Sequence, residues 1–168
     1  MPRFLQGPIY DLTFSNCGRI LASASKDCTV RLWTPDVRGD SHVLKAHTKG
    51  VRSVCISKDS SLLLTASDDK TVKMWSTSQR KFKCSFTGHN HWVRSAHLSP
   101  DCRLEEYVHL FAAWDKKFVL LPFFQCTFIC MHSISLAVSG SDDKTVRLWD
   151  TSTGRCKSVL RDHDEYVL

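Results

Sequence analysis

Histidine, a hydroxyl residue, aspartate and tryptophan recur along this chain in one order and at one spacing. A hydroxyl, an imidazole and a carboxylate are the groups from which a hydrolase builds a nucleophilic triad, so this chemistry has to be considered first. The sets are His47, Thr65, Asp69 and Trp75; His89, Ser139, Asp143 and Trp149; and Ser23, Asp27 and Trp33, with Leu5 at the position of the missing histidine.

The repetition favours a structural role for these residues over a catalytic one. A catalytic triad is a single constellation, and none of the hydroxyl residues lies in a Gly-x-Ser-x-Gly turn. An indole N–H only donates a hydrogen bond, a hydroxyl and a neutral imidazole both donate and accept, and a carboxylate only accepts. We therefore expect hydrogen bonds to run from tryptophan through the hydroxyl and histidine to aspartate, so that each buried polar group has a partner.

Each set lies within a longer repeated phrase that ends at its tryptophan. The phrases are SASKDCTVRLW (residues 23–33), TASDDKTVKMW (65–75) and SGSDDKTVRLW (139–149). Trp33 and Trp75 are 42 residues apart, whereas Trp75 and Trp149 are 74 apart, which is one period plus 32 residues. A repeat of about 40–45 residues that ends in tryptophan is typical of a β-propeller blade.

Short strand patterns separated by polar turns predict four antiparallel strands in each repeat. In the first repeat these patterns are PIYDLTF, ILASAS, TVRLW and HVLKA. The predicted fold is all-β, a partial propeller of about three four-stranded blades that do not complete a ring. We place blade one at about 5–46, blade two at 47–88, blade three at 89–162 and the start of a further repeat at 163–168.

An incomplete ring has consequences for stability, because propellers close with about 4–8 blades. Three blades leave two exposed blade edges, which favour strand pairing and aggregation. We therefore expect the chain to be a fragment or a short isoform of a longer protein, and to be marginally stable or prone to aggregation by itself.

The third repeat is interrupted by 32 residues, 105–136, that include five of the nine phenylalanines and no glycine. Three interpretations are open: a transmembrane segment, an apolar loop that docks a partner, and an accidental segment from alternative splicing or a gene-model error. A membrane span would put the two halves of one blade on opposite sides of a membrane. Removing the segment restores the 42-residue period, which favours the accidental segment.

The phrases that end in tryptophan resemble those of WD-repeat propellers, and the middle of the chain resembles one family in particular. The runs LWTPDVRGD, KAHTKGVRSV, VKMWSTSQRKF and HNHWVRSAHLSPD are similar to the centriolar WD-repeat proteins called proteome of centriole protein 1. The resemblance covers residues 8–104 and 137–167. Members of that family carry a longer N-terminal propeller and a distal helical segment, which this chain does not show.

The resemblance implies a non-catalytic scaffold that acts in centriole and basal-body assembly or stability and in cilium formation. The implied location is the cytoplasm and cytoskeleton, at the centriole, centrosome and basal body. The implied partners are other proteins, namely centriolar components and microtubule-associated proteins, with no small-molecule substrate, cofactor or membrane. The alternatives are a generic WD-repeat adaptor, such as a ubiquitin-ligase substrate receptor or a chromatin reader, and an inert truncated isoform.

Composition and motifs disfavour an enzyme and a nucleic-acid-binding protein. The sequence has no nucleotide-binding loop, metal-ligand cluster or acid–base pair outside the repeated sets. The formal net charge of +6 permits an acidic partner, but the basic residues are spread along the chain without a Lys/Arg block. The eight cysteines are not spaced as zinc ligands, and the N-terminal residues do not resemble a secretory leader. We therefore expect reduced thiols in an intracellular protein.

Propellers bind partners at the rim of the central channel, and the repeat predicts which residues lie there. One rim position lies five residues after the histidine position, and the other directly precedes the aspartate of each set. Trp92 would extend this rim, and arginine, tyrosine and tryptophan are favoured interface residues. The candidate protein-binding residues are Tyr10, Arg52 and Arg94 at the first position, Lys26, Asp68 and Asp142 at the second, and Trp92.

Overall fold

The computed structural model describes residues 7–35, 41–99, 136–161, 163 and 167. Within these ranges the chain forms β-strands and no helix, as the short alternating patterns predict. The strands are β1 (Ile9–Phe14), β2 (Leu21–Ser25), β3 (Thr29–Trp33), β4 (Ser41–Lys45), β5 (Val51–Ile56), β6 (Leu62–Ser67), β7 (Thr71–Ser76), β8 (Lys81–Thr87), β9 (Val93–Leu98), β10 (Leu136–Ser141), β11 (Val146–Asp150) and β12 (Cys156–Leu160).

The strands form three antiparallel sheets, each of four strands that follow one another in the chain. We call them sheet one (β1–β4), sheet two (β5–β8) and sheet three (β9–β12). The first strands lie side by side, β1 against β5 and β5 against β9, and the sheets form an open arrangement rather than a closed ring. The predicted fold class, an all-β partial propeller of three four-stranded units, is confirmed.

Two hydrophobic cores hold the sheets together, one at each contact between neighbouring sheets. Strand β6 contributes to both, since Leu63 faces sheet one while Leu62 and Leu64 face sheet three. Every residue of β6 is buried, as expected for a strand that is covered on both faces. Each fully buried valine or leucine in these cores contributes about 1.5–3 kcal/mol.

The turns between the second and third strands have the same conformation in all three sheets. Cys28, Lys70 and Lys144 have positive φ angles of 70°, 72° and 66°. The aspartate just before each of them accepts a hydrogen bond from the backbone N–H two residues after it, which closes the turn. The turn therefore fixes the aspartate of each repeated set at one end of its sheet.

The third sheet corrects one boundary of the inserted segment. Strand β10 begins at Leu136, which is buried and paired with Asp150, whereas the sequence assigned Leu136 to the insertion. Leu104 and Leu136 are both leucine, so the 42-residue period is restored equally well by removing 104–135 or 105–136. Strand pairing resolves this ambiguity in favour of Leu136, and residues 105–135 lie outside the described ranges.

One face of sheet one is apolar and open to solvent. Ile9, Leu12, Phe14 and Val43 are between 41% and 61% exposed. The equivalent positions in sheet two include Val51 and Val54, which are buried against sheet one. Sheet one therefore exposes the surface that the other sheets bury against their preceding neighbour.

In the described part of the chain, no helix is long and apolar enough to cross a membrane. The inserted segment for which a membrane span was considered, residues 105–136, lies outside that part except for Leu136.

Candidate protein-binding rim

The repeated residues of sheet two form the predicted hydrogen-bond chain. The indole N–H of Trp75 donates to Thr65 Oγ1 at 3.1 Å. Thr65 Oγ1 lies 2.8 Å from Nε2 of His47, and Nδ1 of His47 lies 2.8 Å from Asp69 Oδ2. Because a carboxylate only accepts, Nδ1–H of His47 donates to Asp69, and Nε2 forms the second hydrogen bond of the ring, with the Thr65 hydroxyl.

Sheet three repeats this arrangement with serine in place of threonine. Trp149 Nε1 donates to Ser139 Oγ at 2.8 Å, and Ser139 Oγ lies 2.7 Å from Nε2 of His89. Nδ1 of His89 lies 2.8 Å from Asp143 Oδ2. The chain from the fully buried Ser139 to Asp143 joins β10, the segment before β9 and the β10–β11 turn, so it holds three parts of the sheet together.

Sheet one contains only the two ends of this chain in its described residues. Trp33 Nε1 donates to Ser23 Oγ at 3.0 Å, and Asp27 Oδ1 accepts from the hydroxyl of Thr29 at 2.6 Å. Leu5, at the position of the missing histidine, lies outside the described ranges.

The pKa values of the network aspartates reflect two opposing effects, burial of the carboxylate and the hydrogen bonds that it accepts. Burial by itself would raise the pKa of Asp143, but hydrogen bonds from the Thr145 hydroxyl, the Asn90 N–H and His89 lower it to about 2. For Asp69 burial acts in the same direction, and hydrogen bonds from His47 and Thr71 hold its pKa well below the usual range. Burial lowers the pKa of His89 more than Asp143 raises it, so the His89 ring is neutral.

Sequence reasoning missed a threonine in each of these networks. Thr71 and Thr145 each donate from Oγ1 to Oδ1 of the network aspartate at 2.6 Å. Both hydroxyls also lie within 3.4 Å of Nδ1 of the network histidine. The signal was present, because Thr-Val follows the turn in all three repeats, at Thr29, Thr71 and Thr145.

The first predicted rim position coincides with a β-bulge in every sheet. The pairing of the first and second strands skips one residue between Ile9 and Asp11, between Val51 and Ser53, and between Val93 and Ser95. The skipped residues are Tyr10, Arg52 and Arg94. A bulge leaves its extra residue out of the ladder and redirects the side chain, so the same local feature positions all three candidate rim residues.

The bulge residues and Trp92 form a continuous stack across the three sheets. The guanidinium carbon of Arg52 lies 4.2 Å from the ring centre of Tyr10 and 5.8 Å from that of Trp92. The guanidinium carbon of Arg94 lies 5.0 Å from the ring centre of Trp92. Tyr10 and Trp92 remain 37% exposed, so the stack is accessible from solvent. We call Tyr10, Arg52, Trp92 and Arg94 the rim stack.

Two aspartates at the second rim position orient the arginines of the rim stack. Arg52 Nε donates to Asp68 Oδ1 at 2.8 Å. Arg94 donates to Asp142 through two nitrogens, Nε to Oδ1 at 2.8 Å and Nη2 to Oδ2 at 2.6 Å. The Asp142 side chain is only 5% exposed, so Arg94 supplies the charge that a buried carboxylate requires.

Lys26 occupies the second rim position in sheet one but does not join the stack. It is exposed, and its Cα lies close to Gly50 in the loop before β5. His91 was not a candidate, yet its Nδ1 lies 3.5 Å from Asp142 Oδ2 and its ring lies 5.3 Å from that of Trp92. Its position is occupied by Lys49 in the second repeat, so the repeat pattern contained no signal for it.

The rim therefore offers stacked aromatic and guanidinium groups that suit protein recognition. Among the described residues, no three His, Cys, Asp or Glu side chains lie close enough together to hold a metal ion. The imidazole and hydroxyl groups of sheets two and three are buried within the network, where a substrate does not reach them.

Comparison with proteins of known sequence shows short, strong matches. Forty-one residues are 46% identical to U3 small nucleolar RNA-associated protein 15 of Schizosaccharomyces pombe, covering 24% of this chain and 8% of that protein. Thirty-seven residues are 51% identical to the Lissencephaly-1 homolog of Schistosoma mansoni, covering 22% of this chain and 9% of that protein. The matches thus span less than a tenth of either relative.

Comparison with solved structures shows the fold over nearly the whole chain. The structure of U3-55K has a TM-score of 0.72 and 21% identity, and covers 98% of this chain and 42% of that one. The crystal structure of RRP9 WD40 repeats has a TM-score of 0.71 and 21% identity, with the same coverage. This chain thus spans about two fifths of these propellers.

The family profile "WD domain, G-beta repeat" matches residues 3–34, 39–76, 80–120 and 125–150, which together are more than half of the chain. Proteins built from these repeats are typically non-enzymatic interaction scaffolds. The matches, the three four-stranded sheets and the Trp–Ser/Thr–His–Asp networks agree, and the chain belongs to the WD40 repeat family.

Proposed function

We propose that this chain is a non-catalytic protein-interaction scaffold that binds its partner at the rim stack. The observation that carries the proposal is the continuous contact of Tyr10, Arg52, Trp92 and Arg94 across all three sheets. Tyrosine, tryptophan and arginine provide most of the binding energy in many protein interfaces. Ion pairs and stacking hold these side chains in place before a partner arrives, which lowers the entropic cost of binding.

Capture of partners from cells by the tagged chain tests the role of the rim stack. Replacing Tyr10 and Trp92 together by alanine should deplete the captured proteins, because it removes both exposed aromatic faces. Phe82→Ala is the matched control, since Phe82 is an exposed aromatic residue on β8, outside the rim stack. Equal capture by the double variant and the unmodified chain would show that partners bind elsewhere.

We further propose that the partners are centriolar components or microtubule-associated proteins, and that the chain acts in centriole or basal-body assembly and cilium formation. Support comes from the runs LWTPDVRGD, KAHTKGVRSV and HNHWVRSAHLSPD, which a generic WD repeat does not require. Because of the short match to U3 small nucleolar RNA-associated protein 15, the nucleolus is the alternative location against which the centriole should be tested.

Imaging of the tagged chain beside a centriole marker and a nucleolar marker tests this location. A second version should lack the inserted residues; removal of 104–135 or of 105–136 yields the same sequence. Centriolar spots from either version support the proposal, and spots only from the shortened version identify the segment as disruptive. Nucleolar signal, or capture of a ubiquitin-ligase core or of chromatin, would overturn it. Rapid degradation of both versions would identify an inert product.

A further inference from the structure

We propose that the guanidinium end of Arg52 receives a carboxylate from an acidic segment of the partner protein. This inference rests on the proposed function and names the chemistry of the partner at the same rim. It follows from a difference between Arg52 and Arg94, which occupy equivalent bulge positions but make different ion pairs.

The two arginines differ in how many N–H donors remain available. A guanidinium carries five N–H donors in a planar fork. Arg94 uses both its Nε and Nη2 on Asp142, so one edge of its fork is filled. Arg52 uses only Nε, on Asp68 Oδ1, and neither of its terminal nitrogens meets an acceptor among the described residues. The end of the Arg52 fork is therefore open.

The open fork of Arg52 is also held in a fixed orientation. Tyr10 stacks on it at 4.2 Å, Trp92 lies at 5.8 Å, and Asp68 fixes its Nε. The side chain is 23% exposed, so an incoming group can reach it from solvent. Two parallel N–H donors match the two oxygens of a carboxylate, and a fork that is already oriented loses little entropy on binding.

The surroundings of Arg52 favour an acidic over a basic side chain of the partner. Tyr10 and Trp92 already stack on the chain's own guanidinium groups, so a cation from the partner would meet like charges beside these rings. The carboxylates of Asp68 and Asp142 are paired with the arginines. Lys26, whose Cα lies close to Gly50, and Lys49 are both exposed and add positive charge to the loops at this end of the sheets.

Direct binding of peptides to the purified full chain, followed by fluorescence anisotropy, tests this inference. The probe is a fluorescent peptide rich in glutamate and leucine. Comparison peptides carry glutamine, lysine or phosphoserine at the glutamate positions. We expect the glutamate peptide to bind at least about tenfold more tightly than the glutamine and lysine peptides, because a charge-assisted bidentate pair is lost in each. Its affinity should fall as salt rises.

Two variants locate the site. Arg52→Gln should lower the affinity for the glutamate peptide about tenfold. Arg52→Lys should recover only part of that loss, because lysine keeps the charge but not the two parallel N–H donors. Arg155→Gln is the matched control, since it makes the same charge change at an exposed arginine in the β11–β12 loop and should leave affinity unchanged.

Several outcomes would overturn the inference. These are equal affinity for the glutamate and glutamine peptides, equal effects of Arg52→Gln and Arg155→Gln, or binding of the phosphoserine peptide alone. The peptide comparison uses the unmodified chain, so it decides the question even where a variant folds poorly. Loss of captured partners in the Tyr10 and Trp92 double variant, together with no binding of the glutamate peptide, would leave the rim proposal standing and reject only its acidic partner.

Discussion

The guanidinium carbon of Arg52 lies 4.2 Å from the ring centre of Tyr10, although the two residues occupy the same position in successive repeats. Both are the extra residue of a β-bulge in the first strand of a sheet. Because β1 and β5 lie side by side, equivalent bulges present neighbouring side chains at the rim. A repeat-to-repeat difference in residue type, tyrosine in one and arginine in the next, thus becomes a stacking contact.

Removal of the network hydroxyl in sheet two should destabilise the fold. Thr65→Val keeps the shape of the side chain but leaves Trp75 Nε1 and His47 Nε2 buried without their partner. We expect the free energy of unfolding, measured by urea denaturation, to fall by roughly 2–4 kcal/mol. Thr65→Ser is the control, because Ser139 fills this position in sheet three; a loss as large as that of valine would assign the effect to the methyl group instead.

Acidification should lower stability in two steps. Burial lowers the pKa of His89 and of His97 below 6.5, so the unfolded chain takes up protons that the folded chain does not, and stability falls as the pH drops through that value. The pKa of Asp143 is about 2, below its ordinary 3.8, so its stabilisation is present above about pH 4 and is lost as the pH falls towards 2. That second loss is roughly 2 kcal/mol.

Urea midpoints recorded from neutral pH to strongly acidic pH check both steps. His89→Gln should flatten the first step, and Asp143→Asn should flatten the second. A midpoint that stays constant from neutral pH down to about pH 5 would contradict the neutral buried state of the histidines.

The two arginine–aspartate pairs of the rim should differ in their contribution to stability. Arg94→Gln leaves Asp142, 5% exposed, without its bidentate partner, and we expect a loss of about 1–3 kcal/mol. Arg52→Gln should cost less than about 1 kcal/mol, since Asp68 is more exposed and accepts a single hydrogen bond. Double-mutant cycles with Asp142→Asn and Asp68→Asn measure the two coupling energies, and equal couplings would contradict the structural difference between the pairs.

The exposed face of sheet one should cause self-association. Leu12 and Phe14 are 56% and 61% exposed on that face, and contiguous apolar surface of this kind promotes aggregation. Replacing both by lysine should reduce light scattering and the apparent mass in gel filtration without lowering the unfolding midpoint. Phe82→Lys is the control, since Phe82 is 51% exposed on sheet two. An equal reduction of light scattering by that variant would show that added positive charge, and not loss of the apolar face, prevents self-association.

Much of the fold and of the hydrogen-bond network could be predicted from the sequence. Each buried indole, hydroxyl, imidazole and carboxylate needs a complementary partner, so the set recurs with fixed spacing in each repeat. The threonine after each turn has the same periodicity and was overlooked, as Thr71 shows. His91 could not be found in this way, because its contact with Asp142 occurs in one sheet only.

The sequence by itself determined the repeat, the four-stranded units and the members of each hydrogen-bond network, because these depend on local alternation and on polar groups that must be paired wherever the strand is buried. Only the tertiary structure showed that Tyr10, Arg52 and Arg94 are bulge residues, that Trp92 joins them in one stack, and that both terminal nitrogens of Arg52 are open while one edge of the Arg94 fork is filled. It also assigned Leu136 rather than Leu104 to the sheet. These features depend on how neighbouring sheets pack and on which strand pairs with which, and spacing along one chain does not specify either.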